Sequence, residues 1–476
     1  MPMEGTKKFR MLDVMLSVIC IVYMCEAAAP AAAIGNQQFF WWILLLVVFA
    51  LPYGLVVCEM GTTYNDDAGL YGWIRKAFGE NWAARTAWFY WINFTLWTTS
   101  LAVLFTQTLG IVIGVDLGPV ISAAIELVFI WVVVAFGFTK ISDSPIVMNV
   151  CAVLKVCIGV GLFVLGVYHL YNHGFTNDMS WQTFLPSADT ESLSYLSVIL
   201  FNFMGFEVIA TYSDSMTNPQ RQIPRAIVLG GIVIVTVYLL SSFGITAAVQ
   251  SSAVSLDSGI MDAAIAMLGA GHTLIPVIGL VFMVTLLGNM ASWSYGVNII
   301  ADYAAWDSNM PFMFSIEGEG EQPHSAAVLN GMIASIFILL IPVMSALGFE
   351  EFFWTFFGCS VVFLMFSYLP MFPALLKMRA IDPSTPRPFK VPGPKWVLAL
   401  ISYVPVVVII LALVATIIPL GTSAAELAKL PMLAISIVVV LIGEANVWRR
   451  KHRIKRRDAG WDGYNWWPEK WHHKPL

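Results

Sequence analysis

Phe201–Ile227 reads FNFMGFEVIATYSDSMTNPQRQIPRAI, and the rest of the chain makes sense only around it. The stretch begins as an apolar helix, sets Gly205 and Glu207 near its middle, and reaches a helix stop at Asn218-Pro219. A glycine beside a carboxylate is a poor way to anchor a protein in a bilayer. It suits a membrane helix broken where a polar ligand must bind. The expectation is a transporter in which this helix forms half of the binding site.

Composition agrees. Of 476 residues, 58% are hydrophobic and only 12% are charged, about half the roughly 25% of soluble domains. Runs of the roughly 20 apolar residues that a bilayer core demands lie near 12–34, 39–61, 84–113, 117–138, 146–170, 193–215, 225–249, 274–301, 326–347, 352–376, 396–419 and 430–448. The sequence therefore predicts an all-α integral membrane protein of about twelve spans. The N-terminal run resembles a signal peptide, but Asp13 and Glu26 within it, and the many runs that follow, make it the first span. The six cysteines fall in apolar runs without metal-ligand spacing and are expected to be small buried residues.

With the N-terminus inside, every one of the 25 Lys and Arg except Lys155 and Lys429 falls on the inner side. That is the positive-inside pattern, and it predicts a multi-pass protein of the cell membrane with both termini cytoplasmic. The acidic loop 316–321 lies inside and does not bear on a rule about cations. Residues 1–11 form a cytoplasmic N-terminus, 12–170 hold spans one to five, 193–376 spans six to ten, 396–448 two further spans, and 449–476 a basic, aromatic tail.

A charge at a helix centre costs about 2.5–3.5 kcal/mol on insertion scales, so Glu26, Glu126, Lys155 and Glu207 each need a cavity or a partner. Glu26 and Glu207 lie at comparable depths in the first and sixth spans. If spans one to five and six to ten are inverted copies, those two helices are equivalent halves around one midplane site. Glu126 reads as a helix–helix contact, and Glu59, at the end of the second span, as a surface or gating contact. Nothing resembles a nucleophile–base pair, a phosphate loop or a Cys/His cluster, and His472-His473 lack companions. The reading is not an enzyme, with no cofactor, no metal and no nucleic acid.

Four stretches, in the family's order, resemble the amino acid–polyamine–organocation permeases: CEMGTTYNDDAGLYGWIRKAFG (58–79), GFEVIATYSDSMTNPQRQIPRAI (205–227), GNMASWSYGVNIIADYAAWDSNMPFMF (288–314) and LPMFPALLKMRAIDPSTPRPFKVPG (369–393). The resemblance implies a LeuT-type five-plus-five inverted repeat with broken first and sixth helices and two peripheral helices. It further implies a carrier working by alternating access, through proton-coupled uptake or exchange.

By that resemblance, Phe201 is an aromatic cap over the substrate and Glu207 a proton-sensing residue. Removing a carboxylate from water favours its neutral form, which makes proton binding near neutral pH reasonable; the plain alternative is a glutamate that braces the sixth helix against a tyrosine or a backbone amide. Trp293 matches a wall of the pocket, able to hold an amine by cation–π attraction of about 0.5–2 kcal/mol, or simply packs. Asn93, Phe94 and Thr98 match a pocket-facing segment of the third span, though Asn93 could equally bond another helix. Lys155 matches a lysine that stands where related carriers hold sodium, tying the first helix to the eighth. The alternative is a lysine snorkelling to the inner surface over about 15 Å.

The first helix departs from the family pattern. Where most members carry a glycine-rich segment for a carboxylate, this chain has Met24, Cys25, Glu26 and Ala27. A carboxylate there repels an acid and attracts an amine, so the favoured substrate is a cationic amine or polyamine, with Glu26 and Glu207 as anionic anchors and Asn202 and Gly205 beside them. Pairing of Glu26 with Lys155 as a structural bridge stays open. So do an amino acid permease and a non-transporting receptor or partner subunit on the same fold. Oligomeric state is not legible.

Overall fold

The computed structural model describes residues 9–64, 69–139, 144–186, 193, 196–254, 259–315, 323–346 and 352–458, with the side chains of 214, 215, 424, 425 and 451–458 outside the description. The acidic loop 316–321, His472-His473 and most of the expected tail fall outside it. Among the described residues there are eleven helices long and apolar enough to cross a bilayer, and a twelfth when the bent pair Met11–Val22 and Cys25–Ala32 counts as one span. The others, in order, are Gly35–Thr63, Glu80–Ile113, Pro119–Phe136, Pro145–His173, Leu196–Ser213, Pro219–Ala248, Leu274–Trp306, His324–Ala346, Phe352–Ile381, Lys395–Ile417 and Leu430–Arg450. A short helix follows the second span (Gly69–Phe78), and another follows the seventh (Gly259–Leu268). These are corresponding places in two five-span halves.

Punctuation residues set the boundaries. Gly114, at φ 68°, closes the third span, and Pro119 and Pro145 open the fourth and fifth at positions where a missing N–H costs nothing. Asn218-Pro219 turns out to be a start as much as a stop. The Asn218 side chain accepts from the Arg221 N–H at 3.3 Å, so the seventh span begins at Pro219, ahead of the expected 225, with Pro224 carried in its first turns.

Position in the bundle follows from which faces are apolar and exposed. The sixth span is buried along its whole apolar window. The fourth, ninth, eleventh and twelfth instead present rows of exposed Leu, Ile and Val, such as Val120, Ile336, Leu411 and Leu441, as lipid-facing helices do. Without a hydrophobic drive between helices in lipid, close approach depends on small residues. A Cβ on Gly166 would lie 2.3 Å from Gly244 Cα, and one on Gly244 2.2 Å from the Leu162 carbonyl oxygen, so the fifth and seventh spans touch backbone to backbone. The twelfth span docks on the third through Arg85, whose guanidinium grips both oxygens of Glu444 at 2.5 and 2.7 Å, and through Trp88, which donates to the Val439 carbonyl at 3.0 Å.

Five of the six cysteines are buried as expected; Cys157 is exposed on the fifth span. Glu59 is not a surface residue. It is 1% exposed and is held by Arg379 (Nε at 2.8 Å), Arg387 (Nε at 3.3 Å) and the Val391 N–H (2.7 Å), binding the second span to the end of the tenth and the loop after it. A buried carboxylate needs such partners, and the basic loop supplies them.

Candidate functional site

The first span is α-helical to Val22, runs extended through Tyr23 and Met24, and resumes as a short turn at Cys25, bent by 42°. A helix that stops inside a bilayer leaves carbonyls without partners. Three neighbouring spans supply them here. Lys155 of the fifth span donates to the Cys20 carbonyl. Trp293 Nε1 of the eighth donates to the Ile21 carbonyl at 2.9 Å. Tyr238 of the seventh lies 3.3 Å from the Val22 carbonyl and accepts the Met24 N–H at 2.8 Å. The negative end of the half-helix faces the ammonium of Lys155, a favourable arrangement.

Lys155 is fully buried and donates also to Asn289 Oδ1 on the eighth span. It bonds within the bundle and does not snorkel to either surface. The Nδ2 of the same Asn289 amide donates to Glu26 Oε1 at 2.6 Å. Glu26 and Lys155 therefore share one amide without a direct salt bridge. The other oxygen of Glu26 has the Cys25 thiol at 3.7 Å as its side-chain contact, and that thiol lies 3.6 Å from Thr285 Oγ1; the backbone N–H of Glu26 also bonds its own carboxylate.

The sixth span is helical over Leu196–Phe201, opens at residues 202–205, and continues as a tighter 3-10 turn from Phe206. Gly205 makes the break possible. Its φ of 114° lies where side chains are strained, and a Cβ there would sit 2.9 Å from the Trp293 ring. The freed amides are taken by tyrosines: Gly205 N–H to Tyr53 and Tyr368 at 3.1 and 3.2 Å, and Glu207 N–H to Tyr53 at 3.3 Å. Glu207 in turn accepts from Tyr53 at one oxygen and from Tyr90 at the other, at 2.6 Å. Its carboxylate is thus fixed by the second and third spans.

The two breaks meet. Asn202 Nδ2 donates to the Ala27 carbonyl at 3.3 Å, and its Oδ1 is buried with no partner in the protein. Phe201 packs edge-on against Trp97 (5.8 Å) and Phe357 (5.1 Å), and Trp97 packs edge-on against Trp293 (5.4 Å). The Trp97 Nε1 is likewise buried and unpartnered. In the third span Phe94 packs on Trp97 at 6.5 Å, while Asn93 Nδ2 and Thr98 Oγ1 bond backbone carbonyls of their own helix at 2.9 and 2.8 Å. Asn93 keeps a free, buried Oδ1. Met24, Cys25, Glu26, Ala27, Phe201, Asn202, Gly205 and Trp293 thus form one contiguous set, with Lys155 behind the first break and Glu207 behind the second.

Sequence reasoning passed over Tyr53, Tyr90, Tyr368, Tyr238, Trp97 and Asn289. Only Asn289 carried a local signal, an asparagine inside an apolar run, where an amide needs partners.

Two interrupted helices whose gaps face each other inside a helical bundle define a carrier of the LeuT type. The sequence profile described as "Amino acid permease" matches residues 9–442, and the chain belongs to that family of membrane transporters. A Lactococcus lactis subsp. lactis (strain IL1403) protein described as "Probable agmatine/putrescine antiporter AguD" is 46% identical over 450 residues, covering 94% of this chain and 96% of its own. An uncharacterized transporter of Legionella pneumophila subsp. pneumophila is 26% identical over 385 residues, 78% of this chain and 81% of its own. Among solved structures, MhsT in complex with L-phenylalanine shares the fold, with a TM-score of 0.58 at 13% identity over 87% of this chain and 100% of that one.

Proposed function

We propose that this chain is a sodium-independent exchanger of cationic amines, moving an agmatine- or putrescine-like substrate across the cell membrane by alternating access. The observation that carries the reading is Glu26, a carboxylate in the gap of the first span with one oxygen whose side-chain contact is a weak one to a thiol. An ammonium or guanidinium bound there would gain a charge-assisted hydrogen bond worth more than a neutral one. Trp97, Phe201 and Trp293, packed edge-on in one cluster at the sixth-span break, supply aromatic surface of the kind that attracts a cation, and the unpartnered Asn93 Oδ1 and Asn202 Oδ1 accept donors of the kind an amine brings. The 46% identity to a protein described as an agmatine/putrescine antiporter points the same way.

Lys155 donates to the carbonyl end of the first half-helix, which favours a carrier that needs no sodium there. Glu207, locked by Tyr53 and Tyr90, is the proton-responsive residue of the pair, and Phe201 the gate above the substrate. Residues 12–170 and 193–376 are the two inverted repeats, and both termini face the cytoplasm, as the placement of the basic residues supports.

The test is counterflow in proteoliposomes preloaded with putrescine and supplied with labelled agmatine or putrescine. The labelled amine should enter, and Glu26→Gln should abolish entry. If leucine or alanine exchanges and the amines do not, the amine reading is wrong and an amino acid permease remains.

A further inference from the structure

We propose that Asn289 sets the amine preference of the site by holding the Lys155 ammonium off Glu26; the inference rests on Glu26 being the substrate anchor. Glu26 and Lys155 are both buried and of opposite charge, and such a pair would be expected to close on itself. Here one amide stands between them. Its oxygen accepts from Lys155 and its nitrogen donates to Glu26 Oε1 at 2.6 Å.

An asparagine amide has one acceptor end and one donor end, and only this orientation suits an ammonium on one side and a carboxylate on the other. A flip would set like against like at both ends. The amide dipole is therefore pinned by two charges from two other spans. The eighth span's own packing supports its position. One turn away, Trp293 is bonded to the Ile21 carbonyl, and beside it a Cβ on Gly288 would lie 2.2 Å from Cys151 Sγ.

Two consequences follow for the site. Lys155 commits two of its three donors, to the Cys20 carbonyl and to Asn289, and the amide stands between its charge and Glu26. Glu26 spends one oxygen on the Asn289 side chain, and the side-chain contact of Oε2 is the weak one to the Cys25 thiol at 3.7 Å. A carboxylate accepts through both oxygens, so Oε2 is where a substrate cation binds. Without the amide, Lys155 closes onto Glu26 and occupies the position that an amine needs. The substrate must then compete with a tethered ammonium of high effective concentration. Asn289 is a positioning residue: it does not take the substrate's charge, but it keeps Glu26 able to do so.

The test uses the full-length protein in proteoliposomes, with labelled putrescine and agmatine at a range of external concentrations. Asn289→Leu removes the amide at similar volume, and Asn289→Ser is small enough to pack but too short to span Lys155 and Glu26. Both should raise KM for the amines about tenfold or more, while Vmax at saturating amine falls much less, the pattern of lost ground-state binding. Adding Lys155→Gln to Asn289→Ser should bring KM back toward the wild-type value, because no ammonium remains to compete. An unchanged KM in either variant recovered as a monodisperse protein overturns the proposal, as does a fall in Vmax alone. Glu26→Gln separates the two readings. If it leaves amine exchange intact, the substrate assignment fails; if it abolishes exchange while both Asn289 variants keep wild-type KM, only the role of Asn289 fails.

Discussion

Gly205→Ala gives the sharpest test of the broken sixth span. The methyl group would enter a backbone at φ 114°, outside the conformations L-residues adopt readily. Strain of this kind costs roughly 1–2 kcal/mol. The same methyl would stand 2.9 Å from Trp293 Cζ2 and 3.4 Å from Ile21 Cγ2, and overpacking adds about 1–3 kcal/mol. Trp293 cannot yield freely, because its Nε1 is bonded to the Ile21 carbonyl. The sum is a loss of about 2–5 kcal/mol, concentrated between the two gaps. Gly161→Ala serves as the reference, since a Cβ there meets nothing within 4 Å on an ordinary helical backbone; it should be neutral or slightly stabilising, as Ala for Gly in a helix usually is. Denaturant unfolding in mixed micelles, read by tryptophan fluorescence, compares the two, with amine counterflow measured in parallel. Gly205→Ala should unfold at clearly lower denaturant and lose most of its exchange. Equal midpoints for Gly205→Ala and Gly161→Ala would refute the claim that the break is built on that glycine.

Other expectations follow from the same geometry. Tyr90→Phe removes one hydrogen bond from Glu207 while leaving Tyr53 in place; a bond to a charged group is worth about 1.5–3 kcal/mol, and the pH profile of amine exchange should shift where a merely structural tyrosine would lower only the rate. Glu59→Gln leaves two arginines facing a neutral amide in a buried pocket, and breaking such a group costs about 3–5 kcal/mol; faster thermal inactivation, not rescued by substrate, is the expected reading. Gly244→Ala should separate the fifth and seventh spans, because its Cβ would meet the Leu162 carbonyl oxygen at 2.2 Å, and should lower the yield of folded protein far more than Gly231→Ala, whose nearest neighbour is the Phe206 ring at 3.7 Å. Asp382 is held below the usual carboxylate range by the Thr385 hydroxyl and then by Tyr64. A lowered folded-state value means that its contribution is present above the ordinary aspartate range and disappears as the pH falls through the lowered one. Proteolytic nicking of the 382–391 loop should therefore rise on acidification below about pH 4, and Asp382→Asn should show the acid pattern at neutral pH.

How legible was this in the sequence? Glu26, Lys155 and Glu207 stood out because a charge in an apolar run has few explanations, and the span pattern followed from hydropathy alone. Their partners did not stand out. Tyr53, Tyr90 and Tyr368 reach Glu207 or the Gly205 amide from three different spans, and a tyrosine in a membrane helix has no local mark of what it will bond. The first break was hard to read for a related reason. It has no glycine at the gap; it is opened by capping from Lys155, Trp293 and Tyr238, and each of those bonds joins residues more than a hundred positions apart. Asn218-Pro219 misled as a stop because the same pair that ends one helix also caps the next, and no loop of usual length separates them.

Phe9, at the edge of the described chain, pairs backbone to backbone with Met216 just after the sixth span's 3-10 turn. Its carbonyl takes the Gln222 side chain at 3.0 Å, and its ring lies 6.2 Å from Tyr212. The leading end of one broken helix is thus stitched to the trailing end of the other, on the far side of both gaps from the C-terminal half-helix of the first span. The two half-helices are therefore coupled mechanically at this end, besides being joined at their gaps by the bond from Asn202 to the Ala27 carbonyl. A reporter dye placed beside Phe9 would then respond to displacement of either half-helix.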